Sequence, residues 1–154
     1  MAISEKANTP IVRIGTVGSL IVTCYRSTPT ADSLDDNERI QMALLEQFPK
    51  VATIAIAGPN TSLIRIDDKV RVRSVEMAKK FEGKVRGAAI VIATKGLSAV
   101  MARSFMTAYL LLSKQAWPMQ TFPSIVAASH WLEKLPGNDV VVTAAELEAF
   151  ERGE

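Results

Sequence analysis

Residues 83 to 135 decide the fold. They read Gly83-Lys-Val-Arg-Gly-Ala-Ala-Ile-Val-Ile-Ala-Thr94, then Lys95-Gly96, then an amphipathic run to Lys114, then Phe122-Pro-Ser124 and Ala127-Ala-Ser-His-Trp-Leu132. Ala88 to Ala93 lacks polar alternation, the mark of a strand covered on both faces. Leu97, Val100, Met101, Phe105, Ala108, Leu111 and Leu112 then recur at spacings of three and four, which predicts a core helix of about five turns. Met119 to Phe122 reads as a short edge strand. Ser124 caps a helix whose inner face is Ala128, Trp131, Leu132 and Leu135. Strand, tight turn, helix, strand and helix with few residues between them predict a parallel α/β domain.

Upstream, the polar residues 1 to 10 are expected to be disordered. Ile11 to Ile14 and Leu20 to Tyr25 are rich in β-branched residues and flank Gly15, Gly18 and Ser19, a hairpin pattern. Ser33 and Asp36 form a capping pair for a helix lined by Ile40, Leu44 and Phe48 and stopped by Pro49. Val51 to Ala57 is a buried strand, followed by the loop Gly58-Pro-Asn-Thr-Ser62. Asp67 or Asp68 caps a helix with Val70, Met77, Ala78 and Phe81 on its apolar face, and Gly83 closes it. Downstream, Pro136 to Asp139 turns the chain into the strand-like Val140 to Val142. Thr143 and Glu146 then form a capping box, stapled by Val142 and Leu147. The domain is expected over residues 11 to 136, with a strand and helix extension over 137 to 154.

The chain has 154 residues, 48% hydrophobic and 22% charged, with a formal net charge of +2. One domain with a sizeable core follows. So small a net charge gives no reason to expect nucleic acid. Charge is uneven along the chain. Residues 65 to 86 are basic, whereas 32 to 46 and the tail after Leu132 are acidic. Two readings follow, oppositely charged solvated helix faces or a basic docking surface. The single cysteine, Cys24, cannot form an internal disulfide, which fits a reducing cytoplasm. No apolar run at the start resembles a signal peptide, and none is long enough to span a bilayer.

Catalytic chemistry finds little support. His130, the sole histidine, points away from the apolar face of its helix, while Cys24 lies in a strand at the other end of the chain. One cysteine and one histidine cannot close a zinc site, and no phosphate-binding or dinucleotide fingerprint occurs. No metal and no cofactor is expected. The best anion or ligand contact is Thr94, Lys95 and Gly96, between a strand and a long helix, with Arg103 two turns further on. Trp117, before Pro118, is a candidate interface anchor or loop plug. Leu147 and Phe150, three residues apart on a short terminal helix, are candidates for assembly with a partner or a second copy.

The order hairpin, helix, strand, helix, strand, helix, strand, helix resembles the STAS-like superfamily, in particular its SpoIIAA-like branch, which shares its topology with SEC14-type lipid-binding domains. The resemblance runs over Ile11 to Leu135. It is carried by Gly87-Ala-Ala-Ile-Val-Ile-Ala-Thr-Lys-Gly96, by Arg103 with Tyr109-Leu-Leu-Leu112, and by Phe122-Pro-Ser124 with Ala127, Ala128, Trp131 and Leu132. It implies a single-domain mixed sheet of about five strands with four to five helices. It also implies a non-enzymatic regulatory or scaffolding module that binds a protein partner in a bacterial cytoplasm. The alternative it carries is a small-molecule or lipid-binding module. STAS anti-sigma-factor antagonists are switched by phosphorylation in an Asp-Ser-Ser/Thr-Gly type loop. Here the matching loop, residues 58 to 62, offers Thr61 and Ser62 but lacks the Asp and the following Gly.

Overall fold

Six strands, hydrogen-bonded in the order in which the chain makes them, form one mixed sheet in the computed structural model. The structure describes residues 2–58, 61, 67–93, 103 and 117–154. The strands are β1 (Ser4–Asn8), β2 (Val12–Val17), β3 (Leu20–Tyr25), β4 (Val51–Ala57), β5 (Val85–Ile92) and β6 (Met119–Phe122). β1 and β3 each run antiparallel to β2, which lies between them, and β3 through β6 run parallel. Four helices are described: α1 (Ala31–Leu45), α2 (Asp68–Lys80), α3 (Ile125–Glu133) and α4 (Ala144–Arg152). The α/β class is as expected, and the sheet has six strands rather than five.

The additional strand is β1, formed by residues expected to be disordered. Ser-Glu-Lys-Ala-Asn has no apolar run. An edge strand needs only backbone bonds on one side, and charged residues suit its open side. Its inward anchors are Ile3 and Ala7, packed on opposite faces of the sheet. The hairpin follows the sequence reading, with Gly18 at φ +53° in its turn, where a side chain would be strained. β5 is flanked by β4 and β6, one strand in from the edge, and the middle of the sheet is β3 and β4.

Caps set three helix starts where expected. The Asp67 carboxylate accepts from the Lys69 and Val70 amides, the Ser124 hydroxyl from the Ala127 amide, and the Thr143 hydroxyl from the Glu146 amide. α1 differs. Its cap is Thr30, whose hydroxyl accepts from the Ser33 amide while Ser33 Oγ accepts from the Thr30 amide. A serine three residues after the cap completes the box that Glu or Gln more often supplies, so the Ser33 and Asp36 pairing does not occur.

The sheet separates two apolar layers. On one face α3 and α4 cover Val22, Cys24, Ile54, Ile56, Ala89 and Val91. Gly87 is required there, since a Cβ would meet Leu135 Cδ1 at 2.8 Å and the Trp131 ring at 3.2 Å. On the other face Ile40 and Leu44 of α1 and Phe81 at the end of α2 pack with Val12, Ile14, Ile21, Val51 and Val85. Val140 to Val142 forms no strand. Val140 and Val142 are buried, and Val141 is exposed. Leu147 is 0% exposed and Phe150 3%. α4 therefore folds back on its own domain, and neither side chain is available to a partner. The apolar face that made an interface plausible is satisfied internally by β2, β3 and Ile3.

Candidate functional site

The two faces of the sheet differ in side-chain size. β4 reads Val51-Ala-Thr-Ile-Ala-Ile-Ala57, and the period of two sends Ile54 and Ile56 to the α3 side while Thr53, Ala55 and Ala57 face α1 and α2. Register aligns Thr53 with Ala88 and Ala88 with Met119 across β4, β5 and β6, and Thr23 with Ala55 across β3 and β4. Small residues thus fall side by side under the helices, and they leave a cleft of about 550 Å³. That volume lies within the roughly 300–1,000 Å³ usual for small-molecule sites.

Each wall comes from one helix. α1 contributes Leu34, Asn37 and Gln41, spaced by three and four residues on a single stripe, and α2 contributes Ser74, Met77 and Ala78. Phe81, Tyr25 and Trp117 complete the enclosure. The helices are tied together outside the cleft by charge. Arg73 pairs with Asp35 at 3.1 Å and with Glu38, and Lys80 Nζ donates to Glu38 Oε1 at 2.5 Å. Part of the basic run 65 to 86 therefore neutralises part of the acidic run 32 to 46 within the molecule.

Most polar groups on the cleft are uncharged. Asn37 Nδ2 donates to Thr23 Oγ1 at 2.8 Å, which fixes that amide. Gln41 is 4% exposed, lines the cleft, and makes no side-chain hydrogen bond among the described residues. Its amide atoms are not sealed within the protein but open to the cleft, where water or a ligand completes them. The Tyr25 phenol is pushed up to about 12 by burial, which keeps it protonated as a donor. The indole nitrogen of Trp117 is buried without a hydrogen-bond partner. Two charged side chains, Lys79 and Glu82, also border the cleft; they are opposite in sign and both exposed.

The residues singled out in the sequence fare differently. Trp117 belongs to this cleft. Thr61 donates its hydroxyl to the carbonyls of Tyr25 at 3.1 Å and Ser27 at 3.5 Å, so it serves to close the loop onto β3. Arg103 Nη1 donates to the Ile92 carbonyl at 2.8 Å, at the end of β5. Ser62, Thr94, Lys95 and Gly96 lie outside the described residues, as does the helix expected from Leu97 to Leu112, apart from Arg103. His130 is exposed on α3, as expected. Cys24 lies buried under α3 and α4, its thiol pushed up to about 12 by burial and by the Glu151 carboxylate, and it is unsuited to act as a nucleophile. Among the described residues no cluster of His, Cys, Asp or Glu is arranged to hold a metal, and no helix is long and apolar enough to cross a membrane.

Sequence reasoning missed Gln41, Tyr25 and the small floor. The signal was present in β4, where isoleucine alternates with alanine and threonine at period two. Comparison with family models, with curated proteins and with solved structures returned no match.

Proposed function

We propose that this protein is a non-enzymatic binding module that takes a small, mainly apolar molecule into the cleft between α1, α2 and the sheet. The observation that carries this reading is Gln41, a residue only 4% exposed whose amide lines the cleft without a hydrogen-bond partner among the described residues. An amide that lines a cleft and has no partner in the protein is one that a ligand can complete. The other polar groups on the cleft are an amide, a phenol, an indole and hydroxyls, which recognise rather than react, with exposed Lys79 and Glu82 at its border. Small floor residues supply the space for a ligand. This is also the alternative carried by the STAS-like and SEC14-like resemblance, to which the strand order β3 to β6 lends support.

The second reading is a STAS-like regulator that docks onto a protein partner in a bacterial cytoplasm. It is favoured by Val72, an exposed apolar residue of the basic helix α2 that is not part of the cleft lining. Extraction of the purified protein with organic solvent, followed by mass spectrometry, separates the two. A small molecule that accompanies the wild type in stoichiometric amount, and is absent from Ala88→Leu, supports the cleft. Its absence from both, together with unchanged Tyr25 and Trp117 signals on adding small apolar probes, overturns it in favour of a protein partner.

A further inference from the structure

Gln41 allows the ligand to be specified further. Its amide offers two donors and one acceptor, and neither side is used within the described residues. A group that satisfies both must itself accept and donate at adjacent atoms. A carboxylate accepts only, so it would leave the Gln41 carbonyl unmatched. It would also give up its hydration on a floor of Thr53, Ala55 and Ala88, where no cation replaces the lost water. The ammonium of Lys79 is no substitute, since it is solvent-exposed and Glu82 borders the same cleft. A cationic ligand meets the converse difficulty, because it donates only and would leave the Gln41 amide hydrogens and the buried Trp117 N–H unmatched.

Resting on the reading of the cleft as a ligand site, we infer that its ligand is an uncharged molecule with an apolar body and a carboxamide-like group that pairs with Gln41. Leu34, Met77 and Phe81 supply the apolar walls for the body. The Asn37 amide, already held by Thr23, presents its oxygen as a fixed acceptor beside the pair.

Two probes of equal shape test the charge requirement. The ¹⁵N-labelled protein is titrated at neutral pH with 3-phenylpropanamide and with 3-phenylpropanoate, following the Gln41 side-chain amide and the backbone amides of Thr53 and Ala88. We expect the amide to shift these signals and to bind at least about tenfold more tightly than the carboxylate. That preference should collapse in Gln41→Leu, whose spectrum also reports whether the variant is folded. Equal or tighter binding of the carboxylate, or a preference that survives in Gln41→Leu, overturns the ligand class and leaves the cleft as a binding site. If neither probe shifts a cleft signal in the wild type, the cleft reading itself fails, and this inference with it.

Discussion

Arg13 lies over the ring of Phe150, its guanidinium carbon 4.1 Å from the ring centroid, and donates a hydrogen bond to the Phe150 backbone carbonyl. One side chain of β2 thus holds both the ring and the backbone at the end of α4, and Glu5 of β1 holds the same guanidinium at 2.6 Å. The ring fills the space above Gly15, where an added Cβ would stand 2.6 Å from Ile3 Cγ2 and 2.8 Å from Phe150 Cζ. Phe150→Ala should therefore lower stability by about 3–5 kcal/mol. Gly15→Ala should lower it by about 1–3 kcal/mol through overpacking. Urea denaturation measures both, and an unchanged midpoint in either would contradict the packing.

Gln41→Leu should leave stability within about 0.5 kcal/mol of the wild type, because the amide has no partner among the described residues and its polar atoms open onto the cleft. Unchanged stability with loss of ligand binding is the signature of a group kept for function. A variant that unfolds more readily than the wild type would show instead that the amide is satisfied in solution.

Glu38 accepts from both Arg73 and Lys80 and is the hub of the strap between α1 and α2. Glu38→Ala should cost about 1–2 kcal/mol, since two charge-assisted bonds are lost and two cations are left beside each other. The cost should shrink as salt is added. Thermal melts at low and high ionic strength check the difference, and an effect indifferent to salt would argue for packing rather than charge.

Alkaline pH should destabilise the fold. Cys24 and Tyr25 are both pushed up to about 12, from unfolded values of about 8.5 and 10. Between those limits the unfolded chain holds fewer protons than the folded one, so stability falls as pH rises. The contribution is fully present below about pH 8.5 and is lost progressively toward pH 12. Urea midpoints across that range should decline in the wild type and decline less in Cys24→Ala. Identical slopes would show that the thiol does not titrate with folding.

The elements were legible where one physical signal dominated. The β-branched runs of the hairpin, the period of two or its absence in β4 and β5, and the caps at Asp67, Ser124 and Thr143 are all local. The edge strand Ser4–Asn8 was not legible, because its stability comes from pairing with β2 and its composition matches that of a frayed end. Leu147 and Phe150 were correctly placed on one helix face, but local pattern does not say whether that face meets its own domain or another. The cleft was the least visible. It depends on Thr53, Ala88 and Met119 falling in one row across three strands, and register between distant segments is not written in either segment alone.

The bond from Arg13 to Phe150 joins residues 137 positions apart in the chain. During synthesis at about 5–20 residues per second, β2 emerges roughly 10 s before the helix that will cover it. For that interval Gly15, Val22 and Cys24 present an uncovered apolar face beside a newly paired hairpin, which is the kind of surface that attracts other unfinished chains. The charged strand Ser4–Asn8, available from the outset, blunts the adjoining open edge while the closing helix is still being made.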